Sequence, residues 1–375
     1  MLKRVLNKPT MHMFTRAIAS DMIPGTVGIG GRMSQCPLKV TVFGASTGSL
    51  GRSVVYELAS HGVTCMIPYR GEGDEVRHLK QSGDVGKVNP IPFHPRDEQS
   101  IRDCIGNSDI VLNLVGKYYE TKNLYLKKNY TYQDVNIYFP ERLARICNDM
   151  GVKHFLHVSA LQQNLKHRSE WARTKAKGEE VVRATKPETC IVRPADMFGE
   201  DDRVLQWIGR QFHIYPWLIN INGGAALKQP VWYGDVAMAI RKYCAAPETF
   251  DGKTMELAGP EVMAWSQLVE WFREVTETKR VPPRTPTAIA RMYAGLLEFG
   301  PKPYISRSEV DLRVTDNVLD PHTTCLTFKD LGITPHTIEE KGFSAIMRYR
   351  KGGHWAYKSN NADIREIGRA SCRER

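Results

Sequence analysis

Short apolar runs alternate with amphipathic stretches along the first two hundred residues. Leu38-Lys-Val-Thr-Val-Phe43 has the composition of a buried strand, and the spacing of Leu50, Val54, Val55 and Leu58 predicts one buried face of a helix. Val63 to Arg70 reads as a second strand, and after a turn-rich stretch Val88 to Phe93 reads as a short third. Asp97 stands where an N-cap would precede a helix carrying Ile101 and Ile105. Asp109-Ile-Val-Leu-Asn-Leu-Val-Gly116 is apolar throughout, as suits a central parallel strand covered on both faces. A helix is expected from near Pro140, with Leu143, Ile146, Cys147 and Met150 on one side. Val152 to Ser159 and Thr189 to Pro194 follow as strands, separated by a helix from about Ser169 to Thr185. This order predicts an α/β fold with a doubly wound parallel sheet. Beyond Pro194 the regularity fades, and Pro- and Gly-rich connections separate shorter elements to about residue 350. The expected division is a sheet domain over 38–200 and a smaller α+β C-terminal lobe over 201–350, facing a substrate or a partner.

The junction of the first strand and helix carries chemistry. Gly44-Ala-Ser46-Thr47-Gly48-Ser49-Leu50-Gly51 would bring unpaired N–H groups and the positive end of a helix dipole to one point, which suits a pyrophosphate. Glycine serves there because the turn needs backbone conformations that a Cβ penalises and because phosphates must approach the main chain closely. The expected fold is therefore Rossmann-type, with a dinucleotide on Gly44, Ser46, Thr47, Gly48, Ser49, Leu50 and Gly51. At the end of the second strand an NAD site places an acid for the ribose hydroxyls, and an NADP site a cation for the 2′-phosphate. This chain has Arg70, whose planar fork can bond phosphate oxygens in pairs, so NADP(H) is expected over NAD(H).

Composition narrows the partners. Lys and Arg number 52 against 41 Asp and Glu, a net charge of +11 that favours anionic ligands. The basic residues are spread without a Lys/Arg block or interleaved aromatics, so nucleic acid is not expected. No stretch approaches the roughly 20 apolar residues of a membrane span. Eight cysteines stand singly with no Cys-x-x-Cys pair, which reads as reduced thiols, not a disulfide framework or zinc site. Residues 1–33 hold Lys3, Arg4, Lys8, Arg16 and Arg32 against one acid, Asp21, with Met11, Met13, Phe14, Ala17 and Ile18 between them. That pattern is expected of a mitochondrial presequence, a plain basic arm being the alternative. Residues 351–375 read as a tail, of which 366–375 resemble a translated adaptor oligonucleotide, so Cys372 is given no role. In the lobe, Ile289, Met292, Tyr293, Leu296 and Leu297 form an apolar helical stripe after the basic, proline-rich residues 279–286. It can be a core helix, or a face for an anionic membrane or a neighbouring subunit.

The glycine turn, Asn113-Leu-Val115-Gly116, Ser159 after a strand, Lys175 on the next helix and Val192-Arg-Pro194-Ala-Asp-Met-Phe-Gly199 together resemble the extended and atypical short-chain dehydrogenase/reductases. Ile67-Pro-Tyr-Arg70, Glu120-Thr-Lys-Asn123, His157-Val-Ser159, Gly199 to Arg203 and Lys228-Gln-Pro-Val231 look more closely like the branch that serves as NADPH-binding accessory subunits of mitochondrial respiratory complex I, NADH:ubiquinone oxidoreductase. The similarity runs from about residue 38 to about 350. It implies NADPH (or NADP) bound tightly and without exchange, with Val115, Gly116, Ser159, Lys175 and Pro194 among its contacts. It also implies other complex I subunits of the matrix arm, near the quinone-binding region, as partners. A peripheral place on the matrix side of the inner membrane follows, with lipid contact as a further expectation.

The family's acid is a tyrosine four residues before the lysine, with a serine orienting the carbonyl. Here the three positions read Ser159, Trp171 and Lys175, and an indole N–H has no accessible ionisation. The expectation is a vestigial site with no catalytic residue. The alternative is an active NADP-dependent extended short-chain reductase or epimerase with a repositioned acid such as Tyr118, Tyr119 or His157. Two further departures stand out. Gly44 to Gly48 spans one residue more than the family turn, so Ser46 or Thr47 must bulge or the first phosphate contact must move. His94 stands where related subunits carry an acid for the adenine amino group.

Overall fold

The apolar runs become seven parallel strands of one sheet. They are β1 (Lys39–Phe43), β2 (Thr64–Tyr69), β3 (Val88–Pro92), β4 (Ile110–Asn113), β5 (His154–Val158), β6 (Cys190–Pro194) and β7 (Thr254–Leu257), in the order β7-β6-β5-β4-β1-β2-β3. This computed structural model describes Ile23, residues 34–122, 128–298, Gly300, Pro303 and residues 305–350. The presequence reading, Ile23 apart, and the tail reading of 351–375 lie outside the described residues. In the middle of the sheet Val40 lies between Cys65 of β2 and Ile110 of β4. Such a strand has no face turned to water, which is why β4 reads as an apolar run without alternation and why Thr41 of β1 is buried along with Val40 and Val42.

Helices cover both faces. On one, Val54, Val55 and Leu58 of α1 (Ser49–Ser60) join Val236, Ile240 and Tyr243 of α6 (Tyr233–Ala245) over the sheet. On the other, α2 (Glu98–Ile105), α3 (Phe139–Asp149) and α4 (Glu170–Thr185) pack Ile101, Leu143, Ile146 and Val182 against Phe43 and Phe155. Each such side chain taken from water contributes about 1.5–3 kcal/mol. Asp97 caps α2, its carboxylate accepting from the Gln99 N–H at 3.1 Å.

Three elements differ from the sequence expectation. The turn-rich stretch before β3 is wound into 3₁₀ turns over Gly73–Ser82, because Val76 and Leu79 find places in the core. A π-helical turn, Asp134–Tyr138, runs straight into α3, so the helical path begins before Pro140. Residues beyond 200 also return to the sheet: α6 packs on α1, and β7 adds to the edge beside β6. A four-residue edge strand between turns carries too little periodicity to stand out.

The rest of the C-terminal residues form a second core around Phe198, Ile208, Phe212, Trp265, Phe272, Val310 and Ile346. It is built by α5 (Leu205–Ile214), α7 (Trp265–Thr276), α8 (Thr287–Leu297), α9 (Arg307–Val314) and α10 (Ile338–Ile346). Helix α8 turns Ala290, Ala294 and Gly295 inward and leaves Ile289, Met292 and Leu296 at 52%, 65% and 61% exposure. The stripe divides: Tyr293 and Leu297 pack against this core, whereas Ile289, Met292 and Leu296 are left outside, because small residues let the helix lie close to α9. No described helix is long and apolar enough to cross a membrane.

Candidate dinucleotide-binding cleft

Strand order reverses between β1 and β4, and loops that leave in opposite directions there open a crevice at the carboxyl ends of the strands. A cleft of about 360 Å³ lies at this point, between the glycine turn and the C-terminal lobe.

The glycines of the turn have separate reasons. Gly44 has φ +89°, and a Cβ there would sit 2.8 Å from the Leu114 carbonyl carbon and the Val115 nitrogen. At Gly51 a Cβ would meet Ala45 Cα at 2.5 Å and the Gly44 oxygen at 2.7 Å, so helix and turn touch backbone to backbone. Gly48 is different. It has extended backbone as the N-cap of α1, and its nearest neighbour for a Cβ is the Gly44 oxygen at 3.4 Å. Among the described residues no atom demands a glycine there, whereas a ligand drawn onto the N-terminus of α1 would. The extra residue is taken up by a turn over residues 44–47 that leaves Thr47 exposed at the cleft.

Gly44, Thr47, Gly48, Ser49, Leu50, Gly51, Gly116, Ser159, Lys175 and Pro194 line the cleft together, with Trp171 beside them. Ser46, Val115 and Arg70 are not among its lining. Val115 packs beneath the turn and donates its N–H to the Asn113 side chain at 3.2 Å. Arg70 is exposed at the end of β2, its guanidinium 4.8 Å from the centre of the Tyr130 ring. His94 sits on an exposed loop where Nδ1 accepts from the Arg96 N–H at 3.3 Å.

Ser159, Trp171 and Lys175 are all buried. The Ser159 hydroxyl and the Trp171 indole N–H have no partner among the described residues. Lys175 donates to the Val158 carbonyl at 3.2 Å, and burial pushes its ammonium down to about 8 against the opposing pull of Glu179. Trp171 stacks on Tyr118 with ring centres 4.9 Å apart and planes 14° from parallel. The Arg203 guanidinium lies 4.4 Å from the same Tyr118 ring. Burial raises the Tyr118 phenol to about 12. His157 accepts from the Asn113 amide at 3.0 Å, and burial, aided by Lys175, drives its ring down to about 3.

The lobe adds charged residues whose convergence the sequence did not announce. Glu309 of α9 takes Arg203 at 3.0 Å and Arg313 at 3.1 Å. Burial disfavours the Glu309 carboxylate, but the two guanidinium groups outweigh it and hold the carboxyl below its usual range. Arg313 lies 3.3 Å from the Trp207 ring centre, and Lys228 donates to the Leu312 and Thr315 carbonyls at the end of α9 at 2.9 Å each. Glu309 and Arg313 stand four apart on a helix, a spacing legible in the sequence; their partner Arg203 is more than a hundred residues away.

Fold and cleft define an α/β protein with the NAD(P)-binding type of fold found in the extended short-chain dehydrogenases. The model of the NAD dependent epimerase/dehydratase family matches residues 40–258. Among solved structures, the dTDP-glucose 4,6-dehydratase of Bacillus anthracis in complex with NAD aligns with TM-score 0.61 at 11% identity, over 83% of this chain and 96% of its own. The UDP-glucose 4-epimerase of Thermotoga maritima aligns with TM-score 0.57 at 15% identity, over 83% and 98%. At this identity these two speak for the fold alone. Sequence relatives are nearer. The mitochondrial NADH dehydrogenase [ubiquinone] 1 alpha subcomplex subunit 9 of Arabidopsis thaliana is 35% identical over 87% of this chain and 81% of its own length. The mitochondrial NADH-ubiquinone oxidoreductase 40 kDa subunit of Neurospora crassa is 37% identical over 87% and 83%. The chain belongs to the NAD dependent epimerase/dehydratase family and, within it, to the branch formed by these mitochondrial NADH dehydrogenase subunits.

Proposed function

We propose that this chain holds NADP(H) tightly without turning it over, and that it serves as an accessory subunit of mitochondrial complex I on the matrix side of the inner membrane. The observation that carries the non-catalytic reading is the Trp171–Tyr118 stack at the position of the family's acid. A nicotinamide bound in the cleft would supply hydride chemistry, which also needs a proton at the substrate oxygen. Trp171 has no accessible ionisation, the Tyr118 phenol lies near 12, and His157 stays neutral far below physiological pH. Proton transfer by a positioned group contributes about 10² to 10⁴ in rate, and none of these three groups has the near-neutral pKa that favours it.

Nucleotide choice rests on Arg70 at the end of β2, in place of the acid that would favour NAD. Gly48, the N-terminus of α1, the unpartnered Ser159 hydroxyl and the Lys175 ammonium are the groups that would hold the pyrophosphate and the nicotinamide ribose. The subunit role is supported by the names of the relatives. It is supported also by the exposed ridge of Ile289, Met292 and Leu296, which follows Arg280 and Arg284 in the sequence and fits subunits of the matrix arm and the anionic lipid next to them.

Isolating the native protein and identifying what travels with it tests the reading. The expected result is NADP(H) in near-stoichiometric amount together with complex I subunits, and a loss of assembled complex when the protein is depleted. Recovery of NAD(H) alone, or of a free protein whose depletion leaves the complex intact, would overturn it.

A further inference from the structure

Three cations from three different strand ends surround one aromatic ring. Tyr130 lies on the strand Lys128–Tyr130, which a short antiparallel pairing with Thr121–Lys122 holds beside the carboxyl edge of the sheet. Arg70 follows β2, Arg96 follows β3 and Lys117 follows β4. Their charged groups stand 4.8, 4.7 and 5.9 Å from the centre of the Tyr130 ring. Arg96 donates to the Asn129 carbonyl at 2.5 Å, and Lys117 to the Thr121 hydroxyl at 2.9 Å. Among the described residues no carboxylate pairs with Arg70 or Arg96.

Like charges this close repel. Two guanidinium groups against one ring are within about 10 Å of each other, one Debye length at ordinary ionic strength. An exposed cation–π contact is a weak compensation for that. The arrangement is stabilised when an anion enters among the three. A phosphomonoester is the matching anion, since it carries nearly two negative charges and three acceptor oxygens and one arginine leaves it half neutralised. The cluster also sits at the ends of β2 and β3, where a dinucleotide in this fold places its adenosine half.

We propose that Arg96 is a second ligand of the 2′-phosphate of NADP(H), and that Tyr130 positions both guanidinium groups for it. The proposal rests on the NADP(H) reading above and adds the residue that completes its specificity. Sequence reasoning stopped at Arg70 because Arg96 lies 26 positions further on, in a loop without a motif.

The test is titration of the purified full-length chain and its variants with NADP⁺, NAD⁺, 2′,5′-ADP and 5′-AMP. Arg96→Gln is expected to weaken NADP⁺ and 2′,5′-ADP by at least about tenfold, the loss of one charge-assisted bond, and to leave NAD⁺ and 5′-AMP unchanged. Tyr130→Leu should show a smaller loss of the same selectivity, and Tyr130→Phe should restore it. Unchanged 5′-AMP binding guards against misfolding. Wild-type NADP⁺ affinity in Arg96→Gln would overturn this proposal while leaving the NADP(H) reading standing, and so would an equal loss for all four ligands. A wild-type chain that binds NAD⁺ as well as NADP⁺ would overturn the NADP(H) reading itself, and this proposal with it.

Discussion

Replacing Gly48 and Gly51 in turn by alanine separates the part of the glycine turn that serves the fold from the part that serves the ligand. At Gly51 the new Cβ would lie 2.5 Å from Ala45 Cα and 2.7 Å from the Gly44 oxygen. Both neighbours are backbone, so no side chain can rotate away and α1 must lift from the turn. Overpacking of this kind costs about 1–3 kcal/mol, which lowers the melting temperature by about 2–5 °C in a folded chain of this size. At Gly48 the nearest atom is 3.4 Å away, an ordinary contact. Alanine is the poorer N-cap by several tenths of a kcal/mol, but it restricts the unfolded chain by about 0.4–1 kcal/mol, and the two effects nearly cancel. The ligand separates the variants. At a nucleotide concentration 100 times the wild-type Kd, binding stabilises the protein by about 2.7 kcal/mol; a hundredfold weaker site keeps only about 0.4 kcal/mol of it. Thermal unfolding of the nucleotide-free chain with and without added NADPH is the assay. Gly51→Ala should melt early in its absence, and Gly48→Ala should melt like wild type but respond little to NADPH. A Gly48→Ala protein stabilised by NADPH as fully as wild type would refute the role given to the α1 N-terminus. A Gly51→Ala protein with an unaltered melting temperature would refute the steric argument.

Arg70→Glu should weaken NADP⁺ by at least about tenfold while sparing NAD⁺, as a charge-assisted phosphate bond is replaced by repulsion; equal affinities before and after would discard Arg70 as a selector. Burial lowers Lys175 to about 8 from an ordinary 10.5, so between those values the unfolded chain binds the extra proton and stability of the nucleotide-free protein rises with pH. Denaturant titrations from pH 7 to pH 10 should show that rise in wild type and a flatter profile in Lys175→Met, and identical profiles would contradict it. The purified chain should neither oxidise nor reduce its nucleotide against sugar-nucleotide, steroid or quinone substrates. Turnover above a heat-killed control, abolished by Lys175→Ala, would reinstate the enzyme reading. Replacing Ile289, Met292 and Leu296 together by glutamine should leave thermal stability within about 1 kcal/mol, since all three are exposed, yet reduce incorporation into complex I. Normal incorporation would remove α8 from the interface.

Short-range chemistry was legible in the amino-acid order. The β1 and β4 runs, the N-cap at Asp97 and the glycine turn are decided by residues within a few positions of one another, so strand, cap and turn could be read from spacing. The same holds for Trp171 four residues before Lys175, one helical turn apart on α4. What the tertiary structure alone decided was which distant residues meet and which face of an element is covered. Helix α8 carries an apolar stripe that periodicity left open between core and docking face, and packing split it: Ala290, Ala294 and Gly295 are buried and Tyr293 and Leu297 rest against the core, while Ile289, Met292 and Leu296 stay outside. Glu309 binds Arg203 across 106 positions, Tyr118 reaches Trp171 across the mouth of the cleft, and Arg70, Arg96 and Lys117 gather on Tyr130 only because parallel strands end at one edge. Periodicity records whether a side chain faces an interior; only the folded chain decides what that interior contains.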